Sequence, residues 1–315
     1  MILKSKSLYT AVLLFFFFLP ESKAQVQILE KNVLERIQNG HSHIIVSDIH
    51  FPNSEQFLSV FQQNWLLTKG VDLVSMNDLP GNLVAGDNYF SLQTLRITGM
   101  NGGTAIYIYL NLWIPNSKSM KDKKFKVGHE DSMAQILLSA DLETILHGYF
   151  ASKDFGYDFD AEGHIYHWNP GLIKNYLQLL SARLKTGKKD DFEKDITDKD
   201  QLKLLKTQTL YCPEDNLHKM GTFVKQGKMV DFKEVFEDYK FDYKSISDQD
   251  LGKKILDEKQ PFYYLLFIRN STSKLIVVVN SVTGEVIYSR YDKSMSIPNL
   301  KSGDLKDLYK AINKN

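Results

Sequence analysis

The apolar positions of this chain fall into runs whose spacing switches between the period of a strand and that of a helix. HIIVSDI (43–49) reads as a strand, and FLSVFQQNW (57–65) as a helix with Phe57 and Phe61 on one face. VDLVS follows as a short strand running into a Ser/Asp/Asn-rich helix start. YFSLQTLRI (89–97) and TAIYIYLNLWI (104–114) then read as a strand pair around a Gly-rich turn. The same succession returns later. TLYC (209–212) is a candidate first strand, Phe232 and Phe236 repeat the helical stripe, and FDYKS repeats the short strand. PFYYLLFIRN (261–270) and KLIVVVN (274–280) repeat the strand pair, and EVIYSRY (285–291) adds one more strand after the Thr283-Gly284 turn. The pattern predicts an α+β fold of two related mixed-sheet β-α-β-β units, an internal duplication at 41–115 and 207–291.

Two helices are expected between the copies. SMAQILLSADLETILHG begins behind Asp131-Ser132 and stops at Gly148, with Met133, Ile136, Leu137 and Ala140 at helical spacing. GLIKNYLQLLSARLKTG follows Asn169-Pro170 and stops at Gly187. They read as a helical insertion packed between or against the two sheets. PNSKSMKDKK (115–124) is the linker by which composition turns from apolar to charged. The expected organisation is a leader at 1–24, a first unit at 25–115, a linker and helical insertion at 116–206, and a second unit ending in a β-meander at 207–315.

The leader is read from MILKSKSLYTAVLLFFFFLPESKAQ. Lys4 and Lys6 precede the apolar run Ala11 to Leu19, and Ser22 and Ala24 are small residues at the −3 and −1 positions of a cleavage site before Gln25. That run is far shorter than the ~20 residues that span a bilayer. The expected mature chain therefore starts at Gln25, has no transmembrane segment, and is periplasmic or extracellular. Cys212 is the only cysteine, so no intramolecular disulfide forms, and a small buried hydrophobe is its expected role. The 39 basic and 38 acidic side chains give a net charge of +1. Without the leader's Lys4, Lys6, Glu21 and Lys23 the balance turns slightly acidic, which argues against nucleic-acid binding.

Candidate chemistry starts at IIVSDIHFPNSE (44–55), where Asp48 and His50 form the Asp-x-His element with which calcineurin-like metallophosphoesterases hold their metals. Asp87, in Gly86-Asp87, matches that family's Gly-Asp element. The remaining elements fail: GMNGG (99–103) lacks the histidine, VGHED (127–131) lacks the asparagine, and Gly163-His164-Ile165-Tyr166-His167 is one residue too long. Set against the expected repeat, Asp48 and His50 fall near Cys212-Pro213 and Asp87 near Gln260, so the second copy is expected to lack the site. His41 and His43 share a strand face and are a second metal candidate together with Asp48. His164 and His167 stand in an aromatic loop with Trp168. Asp158, Asp160 and Glu162 alternate in a way similar to a calcium loop, without its terminal glutamate. No P-loop, dinucleotide fingerprint or Gly-x-Ser-x-Gly elbow is present, and no cofactor is expected.

The order of elements and the ending KLIVVVNSVTGEVIYS, with its Thr283-Gly284-Glu285 turn, resemble the αβ domains of TolB amino-terminal and curli-secretion-type envelope proteins. The resemblance covers 232–291 and, more loosely, 43–115; residues 116–206 have no counterpart. It implies a non-catalytic, protein-binding module of the cell envelope and carries over no functional residue. The expected function is an exported binding or scaffolding protein with an envelope protein or a glycan as partner. The alternative is a divergent metal-dependent phosphoesterase using Asp48, His50 and Asp87.

Overall fold

A computed structural model describes residues 25–46, 53–75, 78–79, 82–98, 104–117, 119–121, 131–141, 165–188, 195–220, 228–294 and 297–314. The leader at 1–24 lies outside them, as do Asp48, His50, Asp158, Asp160, Glu162 and His164. The fold is α+β, built on two mixed sheets.

The first sheet holds β1 (Val26–Ile28), β2 (Ser42–Val46), β3 (Val71–Ser75), β4 (Asn88–Thr98), β5 (Thr104–Ile114) and β6 (Asp131–Ala140) in the order β3-β2-β4-β5-β6-β1. β7 (Ile165–Tyr166) pairs with the end of β6. The second sheet holds β8 (Ile196–Thr197), β9 (Leu210–Pro213), β10 (Tyr243–Ile246), β11 (Tyr263–Arg269), β12 (Ser273–Asn280) and β13 (Val286–Lys293) in the order β10-β9-β11-β12-β13-β8. In each sheet a central strand lies parallel to both neighbours, and the remaining pairs are antiparallel.

The helices repeat as well. α1 (Val33–Ile37), α2 (Ser54–Asn64) and α3 (Pro170–Leu184) accompany the first sheet; α4 (Lys199–Leu204), α5 (Phe232–Val235) and α7 (Ser302–Asn313) take the same places in the second, with α6 (Asp248–Asp257) between β10 and β11. The two halves have one connectivity, and it extends beyond the limits expected from sequence.

The first part of the segment expected as the first inserted helix is β6, Asp131–Ala140; the segment's end, at 142–148, lies outside the described residues. Its apolar residues do fall at helical spacing, but Met133, Ala134, Ile136, Leu137, Leu138 and Ala140 are all buried, because the strand lies between β5 and β1 and is covered on both faces. A strand apolar on both faces matches either period, so the helical reading was not distinguishable from it by spacing. β6 is the first-half counterpart of β13. Among the described residues the long helix of this stretch is α3, which belongs to the first unit, while β8 and α4 belong to the second.

α3 forms as expected, with Pro170 in its first turn and the Asn169 side chain accepting from Leu172 N at 3.0 Å. It lies between the sheets. On one side it joins Phe61 and Trp65 of α2 against Ile44, Phe90 and Leu112 of the first sheet. On the other, Tyr264 OH donates to Asn175 Oδ1 at 2.9 Å, within the face of Tyr264, Leu266 and Val277 from the second sheet. The opposite face of that sheet, with Leu265, Phe267 and Val278, packs on Leu202, Phe236, Leu305 and Leu308. The layers run sheet, helices, sheet, helices. At about 1.5–3 kcal/mol for each fully buried large apolar side chain, α3 contributes to both interfaces. Among the described residues no helix is long and apolar enough to cross a membrane.

The Thr283-Gly284-Glu285 turn is seated on α3. Gly284 has φ +69°, and a Cβ there would stand 2.5 Å from Asn175 O. Asn175 Nδ2 donates to Ser281 O at 2.9 Å and Gln178 Nε2 to Val282 O at 3.1 Å, so the turn that carries the envelope-family resemblance fastens the second sheet to the first unit's helix.

Candidate functional site

Two groups of imidazoles and carboxylates stand at opposite ends of parallel strands. The first is at the start of β2. His43 Nε2 is 2.9 Å from Asp87 Oδ2, His41 N donates to Asp87 Oδ1 at 2.8 Å, and His41 Nε2 is 2.7 Å from Asp72 Oδ2. His41 and His43 do share a face, with ring centroids 5.2 Å apart, and His43 stacks on Tyr89, which stacks on Trp113. Each imidazole has its own carboxylate, and Asp87 joins the start of β2 to the start of β4. Val46, after which the chain leads on to Asp48 and His50, ends β2 at the other end.

The second group is at the carboxyl ends of the neighbouring parallel strands β9 and β10, whose connections lead to α5 in one helix layer and to α6 in the other. In open sheets with parallel strands such a point forms a crevice for ligands. Pro213 ends β9, and the 3-10 turn Glu214–Leu217 then presents Asp215, followed by His218. Ile246 ends β10, Ser247 caps α6, and Asp248 is that helix's first residue. The first unit supplies His167, between β7 and α3. One ligand atom from each of His167, Asp215 and Asp248 lies within 4.8 Å of the others.

His167 is held firmly. It is 2 % exposed and sits in the left-handed backbone region at φ +59°, where a non-glycine residue costs of order 1–3 kcal/mol. Its Nδ1 is 3.3 Å from Asp248 Oδ1, its carbonyl accepts from Tyr176 OH at 3.1 Å, and its Nε2 is sealed from solvent with no hydrogen-bond partner. Asn169 Nδ2 donates to Asp248 Oδ2 at 2.7 Å and to Asp248 O at 2.9 Å, fixing the carboxylate from the α3 side. Close approach of α3 and α6 is required for this. A Cβ on Gly171 would stand 2.2 Å from Gly252 O, and one on Gly252 would stand 2.3 Å from Asn169 Oδ1.

His218 Nε2 is 3.6 Å from Asp215 Oδ1, and the His218 ring stacks on Tyr166 at 5.2 Å. Burial pushes the Tyr166 phenol up to about 12; the nearby Arg269 charge opposes the shift, and Asp141 and Asp215 add to it. Burial also lowers Arg269, to about 10. Two carboxylates facing a buried imidazole suit a cation and disfavour an anion.

The strand registers relate this group to the sequence motif. Ser42 pairs with Val71 and Asn88, as Leu210 pairs with Tyr243 and Tyr263. Ser42 therefore corresponds to Leu210, and counting on, His50 falls at His218 and Asp48 at Asn216, next to Asp215. This corrects the expected alignment with Cys212-Pro213, which stopped inside the strand. The second copy carries Asp-Asn-Leu-His (215–218) where the first carries Asp-Ile-His. Sequence reading considered His167 and missed Asp215, His218 and Asp248. The available signal was the position of Asp215 and Asp248 immediately after two short parallel strands.

Cys212 is fully buried, with its thiol pushed up to about 12 by burial, as befits a core hydrophobe. Comparison of the chain with protein-family models, curated proteins and solved structures finds no match.

Proposed function

We propose that this chain is an exported, non-catalytic binding or scaffolding protein of the bacterial cell envelope, with an envelope protein or a glycan as its partner. The observation that carries the non-catalytic reading is the engagement of Asp87. Both of its oxygens accept bonds that hold His41 and His43 at the start of β2, which is a strand-anchoring role. That places Asp87 at the start of β2, whereas the chain leads on to Asp48 and His50 only after Val46 at the strand's other end, and a bridging ligand must stand with them around two metals ~4 Å apart. The export reading rests on the basic, apolar and small-residue succession of residues 1–24. The envelope assignment rests on the resemblance carried by KLIVVVNSVTGEVIYS, whose turn here has a packing role on α3.

The test is hydrolysis of bis(p-nitrophenyl) phosphate by the mature chain with Mn2+, together with the amino terminus of the protein recovered from the cell envelope. The expected results are turnover at the uncatalysed rate and a terminus at Gln25. Metal-dependent turnover that drops a hundredfold or more in both Asp48→Ala and Asp87→Asn would establish the phosphoesterase alternative instead. A chain retained in the cytoplasm with Met1 intact would remove the envelope reading.

A further inference from the structure

We infer that His167, Asp215 and Asp248 bind one divalent transition-metal ion of the zinc class, with His218 placed as a fourth ligand, and that the ion joins the first unit to the second. This site is separate from the Asp48–His50–Asp87 alternative and does not depend on the binding function proposed above.

Four features support it. The three residues converge from three elements, one of them from the other unit, with ligand atoms within 4.8 Å. Bonds of about 2.0–2.2 Å to nitrogen and oxygen set ligands ~3–3.5 Å apart, so modest rotations of the two carboxylates close the shell. His167 is 98 % buried, and its unpartnered Nε2 carries a desolvation cost that a metal bond to that nitrogen offsets. Asp248 is oriented from outside the shell by Asn169, the kind of supporting hydrogen bond that fixes metal ligands. Fourth, His218 stands beside Asp215, and its ring is held by stacking on buried Tyr166.

The donor set selects the ion. A buried imidazole suits Zn2+, Mn2+ or Fe2+, whereas Ca2+ and Mg2+ take oxygen shells of six or more ligands. The group at His41 and His43, which also has ring nitrogens without a hydrogen-bond partner, is a weaker competitor because its imidazoles are less deeply buried than His167 and the Asp72 side chain is 64 % exposed.

The experiment uses the full mature chain, dialysed against EDTA and then against 20 µM Zn2+, Mn2+ or Ca2+, with bound metal counted by mass spectrometry. One equivalent of Zn2+ or Mn2+ and no retained Ca2+ are expected. Asp215→Asn and Asp248→Asn, which keep side-chain volume, should each weaken binding at least tenfold with an unchanged circular dichroism spectrum. His218→Ala should weaken it less. In the unsubstituted chain, Zn2+ at a hundred times its Kd should raise the melting temperature by roughly 5 °C. A chain that takes up no transition metal, or one that keeps a full equivalent in the Asp215→Asn/Asp248→Asn double variant, overturns the assignment. Either result leaves the binding reading standing, which is tested by hydrolysis and by the mature terminus.

Discussion

Asp87, a metal ligand only in the alternative reading of the sequence, has an anchoring task in the fold. It accepts from His41 N and pairs with His43 in a part-buried setting, so it fixes the start of β2 against β4. Asp87→Ala should cost about 2 kcal/mol, the usual scale for a bond to a charged acceptor, read as a lower urea midpoint at constant m. A change below about 0.5 kcal/mol would remove the anchoring role. Sequence could not reveal this role, because which carboxylate meets which imidazole depends on the parallel pairing of β2 with β4. Cys212 was legible at this scale, since its apolar neighbours already indicated burial.

Among elements, strands rich in β-branched and aromatic residues and bounded by turn signals were readable: β3, β4, β5, β11 and β12 stand within a residue or two of their expected limits. β6 was not. Its place between β5 and β1 puts apolar side chains on both faces, and helical and extended readings then coincide. Misreading it also hid the full extent of the symmetry, because the first sheet lost the counterpart of β13. α3 and α6 touch through Gly171 and Gly252, a contact no single-sequence pattern displays. Gly252→Ala should destabilise by about 1–3 kcal/mol, because its methyl meets Asn169, and should also weaken metal binding by displacing Asn169 from Asp248. Unchanged stability in thermal melts would show that the helices separate at little cost.

At the scale of the molecule, one cation site and one helix hold two like-connected units together. The buried phenols make this body sensitive to alkali. Burial pushes Tyr166 up to about 12 and raises Tyr176, Tyr264 and Tyr288 further. A raised folded pKa gives stability that is complete below the unfolded value, near 10, and is lost as pH climbs through the folded value. Arg269, lowered to about 10, acts in the opposite sense as a single group. Unfolding should therefore set in between pH 10 and 12, with the phenolate absorbance of the buried rings appearing together with the change in circular dichroism, after that of the partly exposed tyrosines. Complete phenolate absorbance from an intact fold would contradict the burial of these rings. How the units stack was illegible in sequence, since the face of Tyr264 and Leu266 looks equally ready to meet a helix of its own unit.

The most direct measurement follows each unit separately through urea unfolding of the mature chain. All three tryptophans, Trp65, Trp113 and Trp168, lie in the first unit, so their fluorescence reports that unit, while hydrogen exchange in β11 and β12 reports the second. With α3 shared between the sheets, the two probes should give one coincident transition. A second sheet that stays protected after the tryptophan signal is lost, or the reverse, would show that the units are independent and that their junction is not part of the core.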